Sequence, residues 1–86
     1  MPYISQSNRD AYEPALSTMR TRAAYATVGE LTYMVTSLVL AWLQTHPNYT
    51  EYNAAIGVLE CAKLELYRRQ VAPYEDQKRE QNGDVQ

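Results

Sequence analysis

The sequence has little of what usually holds a small domain together or carries out chemistry. Its 86 residues contain one cysteine, Cys61, and one histidine, His46. A single cysteine excludes an internal disulfide. One cysteine and one histidine are also too few ligands for a zinc site with the usual spacing. A chain of this size buries only roughly 60% of its unfolded surface, so its core is thin. Because disulfides and metal sites are excluded, the chain must gain its stability from association with further copies or from unusually good helix packing.

Long apolar runs and an excess of positive charge are absent as well. No run approaches the roughly 20 apolar residues that a membrane-spanning helix needs. The formal net charge of -2 gives no surplus of cations with which to coat a nucleic acid. The N-terminus lacks the basic and apolar regions of a secretory signal, and the lone thiol suits a reducing compartment. We therefore expect a cytoplasmic protein that neither spans a membrane nor coats DNA.

Apolar spacing and helix start signals predict an all-α fold. The pattern is that of a small helical bundle, with a short N-terminal helix followed by an antiparallel helical hairpin. Pro14 suits the first position of a helix, which we expect to run to about Ala26. Thr27 and Glu30 have the spacing of a capping box for a helix from Val28 to about Thr45. We expect residues 1–86 to form a single helical domain, with an N-terminal arm at residues 1–7 and a tail at residues 84–86.

The second half of the chain predicts the other arm of the hairpin. Asn48 is a cap residue before the next helix, and the connection is so short that the two helices must run antiparallel. Gly57 lacks a side chain, which favours the close approach of a neighbouring helix, and we expect Trp42 to fill that position. Pro73 removes a helical hydrogen bond, so the long last helix kinks or restarts there. Gly83 suits the C-terminal cap.

The apolar faces of these helices are wider than one neighbouring helix can cover, which predicts a homo-oligomer. The simplest arrangement buries the excess surface across a two-fold axis. The residues that we expect at this interface are Val39, Leu40, Trp42, Val58, Cys61 and Leu64.

No constellation in the sequence predicts catalysis. His46 stands at a helix end with no serine or cysteine nearby in sequence, and Cys61 lies on an apolar face where cysteine is usually a small buried hydrophobe. We therefore predict that the protein is not an enzyme and uses no metal or other cofactor. The charged residues of the last helix are most simply a solvated face with weak ion pairs.

A functional interpretation of part of that face is a ligand site. Arginine binds phosphate through two parallel hydrogen bonds, and tyrosine rings stack on bases. Two copies of such a cluster across a symmetry axis would form a pocket for a small anionic nucleotide. The residues predicted to contact this ligand are Lys63, Tyr67, Arg68, Arg69 and Tyr74.

Three stretches resemble a family of small uncharacterised proteins found in phages and bacteria. They are MPYI at residues 1–4, GELTY at residues 29–33 and GVLECAKLELYRRQVAPYEDQKREQNGDV at residues 57–85, of which the last is the most specific. The resemblance implies a phage or prophage setting, and hence the cytoplasm of a host cell. It implies no established activity and no catalytic residues.

Two functions fit these features. The first is a non-enzymatic binding protein that sequesters a nucleotide-derived immune signal of the host as an oligomer. The alternative is a protein-interaction module whose broad apolar faces bind a helix of a host or phage protein. A self-assembling bundle without a ligand is a third, purely structural interpretation.

Overall fold

The computed structural model describes residues 3–85, and within this range every regular element is helical. The elements are α1 (Gln6–Asp10), α2 (Glu13–Ala23), α3 (Val28–Thr45), α4 (Tyr49–Leu66), a π-helical turn (Tyr67–Val71) and α5 (Ala72–Asn82). The prediction of a small all-α protein is confirmed. Met1 and Pro2 of the predicted arm and Gln86 of the predicted tail lie outside the described residues.

The chain divides into two compact units, Met1–Leu38 and Val39–Gln86. The single domain expected from the sequence stays a prediction. In the first unit, α1 begins at Gln6, inside the segment that we expected to be an arm. Ser5 caps this helix because its hydroxyl oxygen accepts from the backbone N–H of Asn8 at 3.4 Å.

Helix α2 is held by an ion pair between its first and second halves. Arg20 donates from Nη1 and Nη2 to the two carboxylate oxygens of Glu13, at 2.7 and 3.2 Å. These hydrogen bonds and the positive charge of Arg20 lower the pKa of the Glu13 carboxyl. The helix ends at Ala23, three residues earlier than predicted, because the N–H groups of Tyr25 and Ala26 bond to carbonyls three residues back. Such tighter bonds are common in the last turn of a helix.

The predicted start signals of α3 and α4 are both confirmed. Glu30 donates its backbone N–H to Thr27 Oγ1 at 3.1 Å, and its carboxylate accepts from the backbone N–H of Thr27 at 2.8 Å. Helix α3 consequently begins at Val28. At the start of α4, Asn48 Oδ1 accepts from the backbone N–H of Glu51 at 2.9 Å. Only residues 46–48 connect the two helices.

Pro73 changes the hydrogen-bond register of the last helix without breaking its backbone. Val71 and Ala72 keep right-handed helical angles, and the N–H of Ala72 bonds to the carbonyl of Tyr67, five residues back. The wider turn accommodates a proline ring that would clash in a regular α-helix. No side chain caps the start of α5, so a freshly capped restart is not what the chain forms. The helix ends at Gly83, whose φ of 86° favours glycine.

The core is very small. Ala55, which is 4% exposed, is the only buried residue among residues 3–85. Large apolar side chains of α3 and α4 remain well exposed, so the chain leaves their apolar faces largely uncovered. The expected contact between Trp42 and Gly57 is not formed, because no described atom lies within 4 Å of the place where a Cβ on Gly57 would stand. Trp42 instead stacks on His46.

Candidate functional site

The π-helical turn positions three of the five predicted ligand-binding residues. Tyr67, Arg68 and Arg69 all lie in this turn, which the sequence forms because Pro73 cannot donate a backbone hydrogen bond. π-Helical turns occur frequently at functional sites, since they alter the direction of a few side chains within a helix. This turn is therefore the natural centre of the candidate site.

Arg68 and Arg69 converge on one carboxylate. Glu65 Oε1 accepts a hydrogen bond from Arg68 Nη2 at 2.6 Å and another from Arg69 Nε. The hydrogen bonds from Arg69 and then Arg68 lower the pKa of the Glu65 carboxyl from its ordinary 4.5 to about 2. Glu65 is thus ionised throughout the neutral range, and the three side chains together carry a formal charge of +1. Both arginine side chains are more than half exposed, whereas only a quarter of the glutamate side chain is.

Tyr67 spans the π-helical turn. Its hydroxyl donates to Glu75 Oε2 at 3.1 Å, which links the turn to the first part of α5. Only the neutral phenol can donate this hydrogen bond, so the hydrogen bond and the negative charge of Glu75 raise the pKa of Tyr67. The aromatic ring is about half exposed. Tyr67, which directly precedes the arginine pair in the chain, is therefore fixed by a contact on the other side of Pro73.

The two remaining residues of the predicted site have partners elsewhere. Lys63 Nζ pairs with Glu60 Oε1 at 2.8 Å, one turn before the arginine pair. The ring of Tyr74 lies 5.5 Å from Lys78 Nζ, a cation–π contact within α5. Tyr74 also lines an open cleft of about 460 Å³ with residues of the C-terminal end, among them Arg79 and Asp84, whose side chains lie 3.7 Å apart. The structure thus brings Arg68 and Arg69 together on Glu65, links Tyr67 to Glu75, and directs Lys63 and Tyr74 to other charges.

The predicted interface residues remain accessible in a single chain. Val39 is half-buried, whereas the other five predicted residues are exposed. Exposure alone does not identify an interface, and the assembly of copies stays a prediction. The five exposed residues of the predicted interface are Leu40, Trp42, Val58, Cys61 and Leu64.

His46 closes the C-terminal end of α3. Its Nδ1 lies 2.9 Å from the carbonyl oxygen of Trp42, and its ring stacks on that tryptophan with centroids 4.4 Å apart. A carbonyl can only accept, so this geometry assigns the proton to Nδ1. Thr45 Oγ1 lies 2.8 Å from the same nitrogen. The hydrogen bonds and the stacking explain the position of His46 as a helix cap.

Residues 3–85 contain neither a candidate metal site nor a membrane-spanning helix. No three histidine, cysteine, aspartate or glutamate side chains in this part of the chain are grouped so that they could hold a metal ion. None of the helices in that range is both long and apolar enough to cross a bilayer.

The first unit contains a groove that our sequence analysis did not identify. It lies beside the end of α2 and the start of α3, has a volume of about 720 Å³, and includes Arg22 and Tyr25. Arg22 lies in the last turn of α2, and Tyr25 follows three positions later, beyond the end of that helix. That spacing was the available signal, but many solvated helices contain a tyrosine near an arginine.

Comparison with known proteins assigns the chain to a family. A family model described as Domain of unknown function (DUF6899) matches residues 1–85. The match extends beyond the three stretches on which the resemblance depends. No curated protein and no solved structure matches the chain. The roles of individual residues must therefore be argued from the geometry above.

Proposed function

The chain belongs to the DUF6899 family, and we propose that it is a non-enzymatic binding protein that captures a small anionic nucleotide as a homo-oligomer. The observation that carries this proposal is the arginine pair on the π-helical turn. Arg68 and Arg69 are exposed, share one carboxylate and follow Tyr67 in the same turn. The finer part of the proposal is a phage-encoded protein in the host cytoplasm that sequesters an immune signal. The phage setting rests on the resemblance of residues 1–4, 29–33 and 57–85, and the ligand rests on the arginine and tyrosine side chains alone.

The arrangement suits a phosphate group for a simple reason. Glu65 holds both guanidinium groups at one point of the helix, so that less side-chain entropy is lost when a ligand binds. Arginine can then contact phosphate oxygens through further N–H groups. The exposed ring of Tyr67 supplies a flat surface on which a base can stack.

The charge of the arginine pair favours an assembly of several copies. One copy presents a formal charge of +1, because Glu65 is ionised and offsets one arginine. A nucleotide with two or more negative charges is better matched by two copies that meet at a symmetry axis. The exposed apolar side chains of α3 and α4 provide the surface for such contacts.

Isothermal titration with cyclic AMP, cyclic GMP and cyclic di-AMP tests the proposal. We expect heat with at least one of them, and the double variant Arg68→Ala, Arg69→Ala should weaken that binding by roughly tenfold or more, since hydrogen bonds to charged groups are strong. Arg79→Ala is the matched control, because its guanidinium is on α5 and lies near Asp76 and Asp84. No heat with any of the three nucleotides at high protein concentration would refute nucleotide capture.

The exposed apolar surface favours a second candidate function, a module that binds a helix of a host or phage protein. Leu40 and Val58 are both more than half exposed, and apolar side chains on helix faces are typical of helix-in-groove recognition. A pull-down from infected cells tests this function. One stoichiometric partner that is recovered by the wild type and lost with Val58→Asp would support it, whereas equal recovery by both proteins would contradict it.

A further inference from the structure

The groove in the unit Met1–Leu38 has the dimensions of a small-ligand site. Its volume of about 720 Å³ falls within the roughly 300–1,000 Å³ that ligand pockets occupy. Six residues from the end of α2 and the start of α3 line it, half of them apolar and half polar. These residues are Thr21, Arg22, Tyr25, Ala26, Glu30 and Met34.

Arg22 supplies a positive charge that is not held in an ion pair. Among residues 3–85, no carboxylate forms an ion pair with its guanidinium, whereas Arg20 two positions earlier is bound to both oxygens of Glu13. Glu30 lines the same groove, but its carboxylate accepts from the backbone N–H of Thr27 at 2.8 Å in the capping box. The cation in this groove is therefore open to an anion from outside the chain.

Tyr25 supplies an aromatic surface next to that charge. It is 90% exposed, which is unusual for a side chain with so much apolar area. Ala26 and Met34 are half-buried and give the groove an apolar base. The hydroxyl of Thr21 donates to the carbonyl of Ser17 at 3.2 Å, and its oxygen can still accept. A planar ring stacked on Tyr25 and a negative group at Arg22 would fit these features together.

We infer that this groove is a second contact site for the nucleotide, with the base on Tyr25 and a phosphate at Arg22. The inference rests on the proposed function and adds a site to it. It depends on no contact between the two units, since all six lining residues belong to the first. An aromatic base that carries a phosphate is the ligand chemistry that satisfies both residues, because the ring provides stacking and the phosphate pairs with a guanidinium.

Titration of four variants with cyclic AMP, cyclic GMP and cyclic di-AMP tests the inference. Arg22→Ala should weaken binding by roughly tenfold or more, because a hydrogen-bonded ion pair with phosphate is lost. Tyr25→Leu should weaken binding to a similar extent, since a base–aromatic stack contributes roughly fivefold to a hundredfold in affinity. Tyr25→Phe keeps the aromatic ring and should therefore bind as the wild type does. Arg20→Ala is the matched control: it makes the same change on the same helix, at an arginine already bound to Glu13.

The outcomes separate this inference from the proposed function. Weaker binding by Arg22→Ala and Tyr25→Leu, with Arg20→Ala unchanged, supports the groove. Unchanged binding by both groove variants, with binding lost in Arg68→Ala, Arg69→Ala, overturns the groove and leaves nucleotide capture standing. No binding of any of the three nucleotides by the wild type overturns both. Amide chemical shifts of residues 21–34 give an independent reading, because a ligand in the groove must move them, and circular dichroism verifies that each variant keeps its helices.

Discussion

Replacement of Val58 by aspartate should dissociate the proposed homo-oligomer. Val58 is 59% exposed in one chain, and complete burial of such a side chain contributes about 1.5–3 kcal/mol. Covering the exposed part is therefore worth about 1 kcal/mol, or about 2 kcal/mol across a two-fold axis at which the residue occurs twice. That loss corresponds to roughly thirtyfold weaker association. It is a lower limit, since aspartate also brings a charge into an apolar contact.

Ile56→Asp is the matched control for Val58→Asp. Ile56 lies on the same helix and is 67% exposed, but two helical positions separate the residues by about 200°, so they point in nearly opposite directions. Sedimentation velocity over a concentration series measures the association of each variant. We expect particles larger than the 9.9 kDa chain for the wild type and Ile56→Asp, and single chains for Val58→Asp. A wild type that stays monomeric at high concentration would refute the reasoning, and dissociation by Ile56→Asp alone would move the interface to the other side of α4.

Three further predictions concern the stability of individual elements. Thr27→Ala should destabilise the protein by about 1 kcal/mol through loss of the α3 cap, while Thr32→Ala in mid-helix should not, as thermal denaturation at a fixed protein concentration would measure. The carboxyl of Glu65 should titrate near pH 2 in an NMR titration. Because the pKa of this carboxyl is lowered on folding, its contribution to the stability of the fold is complete above pH 4.5 and is lost as the pH falls towards 2. A titration midpoint near pH 4.5 would contradict the pairing with Arg68 and Arg69. Gly83→Ala should fray the end of α5, visible as faster amide exchange, because φ is 86° at this position.

Signals that act within a few residues explain why most helix boundaries could be predicted. The capping box at Thr27 and the cap at Asn48 each depend on a side chain and a backbone group three positions apart. Gly83 ends the last helix for an equally local reason, its positive φ. Spacing in the sequence therefore encodes these features directly, whatever the rest of the chain does.

Features that depend on a choice among competing partners could not be predicted in the same way. Pro73 predicted an interruption of the helix. Whether the helix breaks, bends or changes its hydrogen-bond register depends on which carbonyl accepts from the N–H of Ala72. Weak ion pairs along this face were predicted, yet the sequence could not indicate that Arg68 and Arg69 would share the carboxylate of Glu65. Tyr74 and Tyr67 are similar residues near the same arginines, and only the geometry separates them.

The charge of the arginine pair links the two parts of the proposed function. If Glu65 were neutral, one copy would present two positive charges and could bind a nucleotide phosphate without a partner. Because its carboxyl has a pKa of about 2, each copy presents one, and a second copy is the simplest source of another. Capture of a nucleotide with two or more negative charges, such as cyclic di-AMP, is therefore favoured by the assembly that Val58 is proposed to stabilise. The groove beside Arg22 differs in that no carboxylate forms an ion pair with its guanidinium among residues 3–85, although Glu30 lines the same groove.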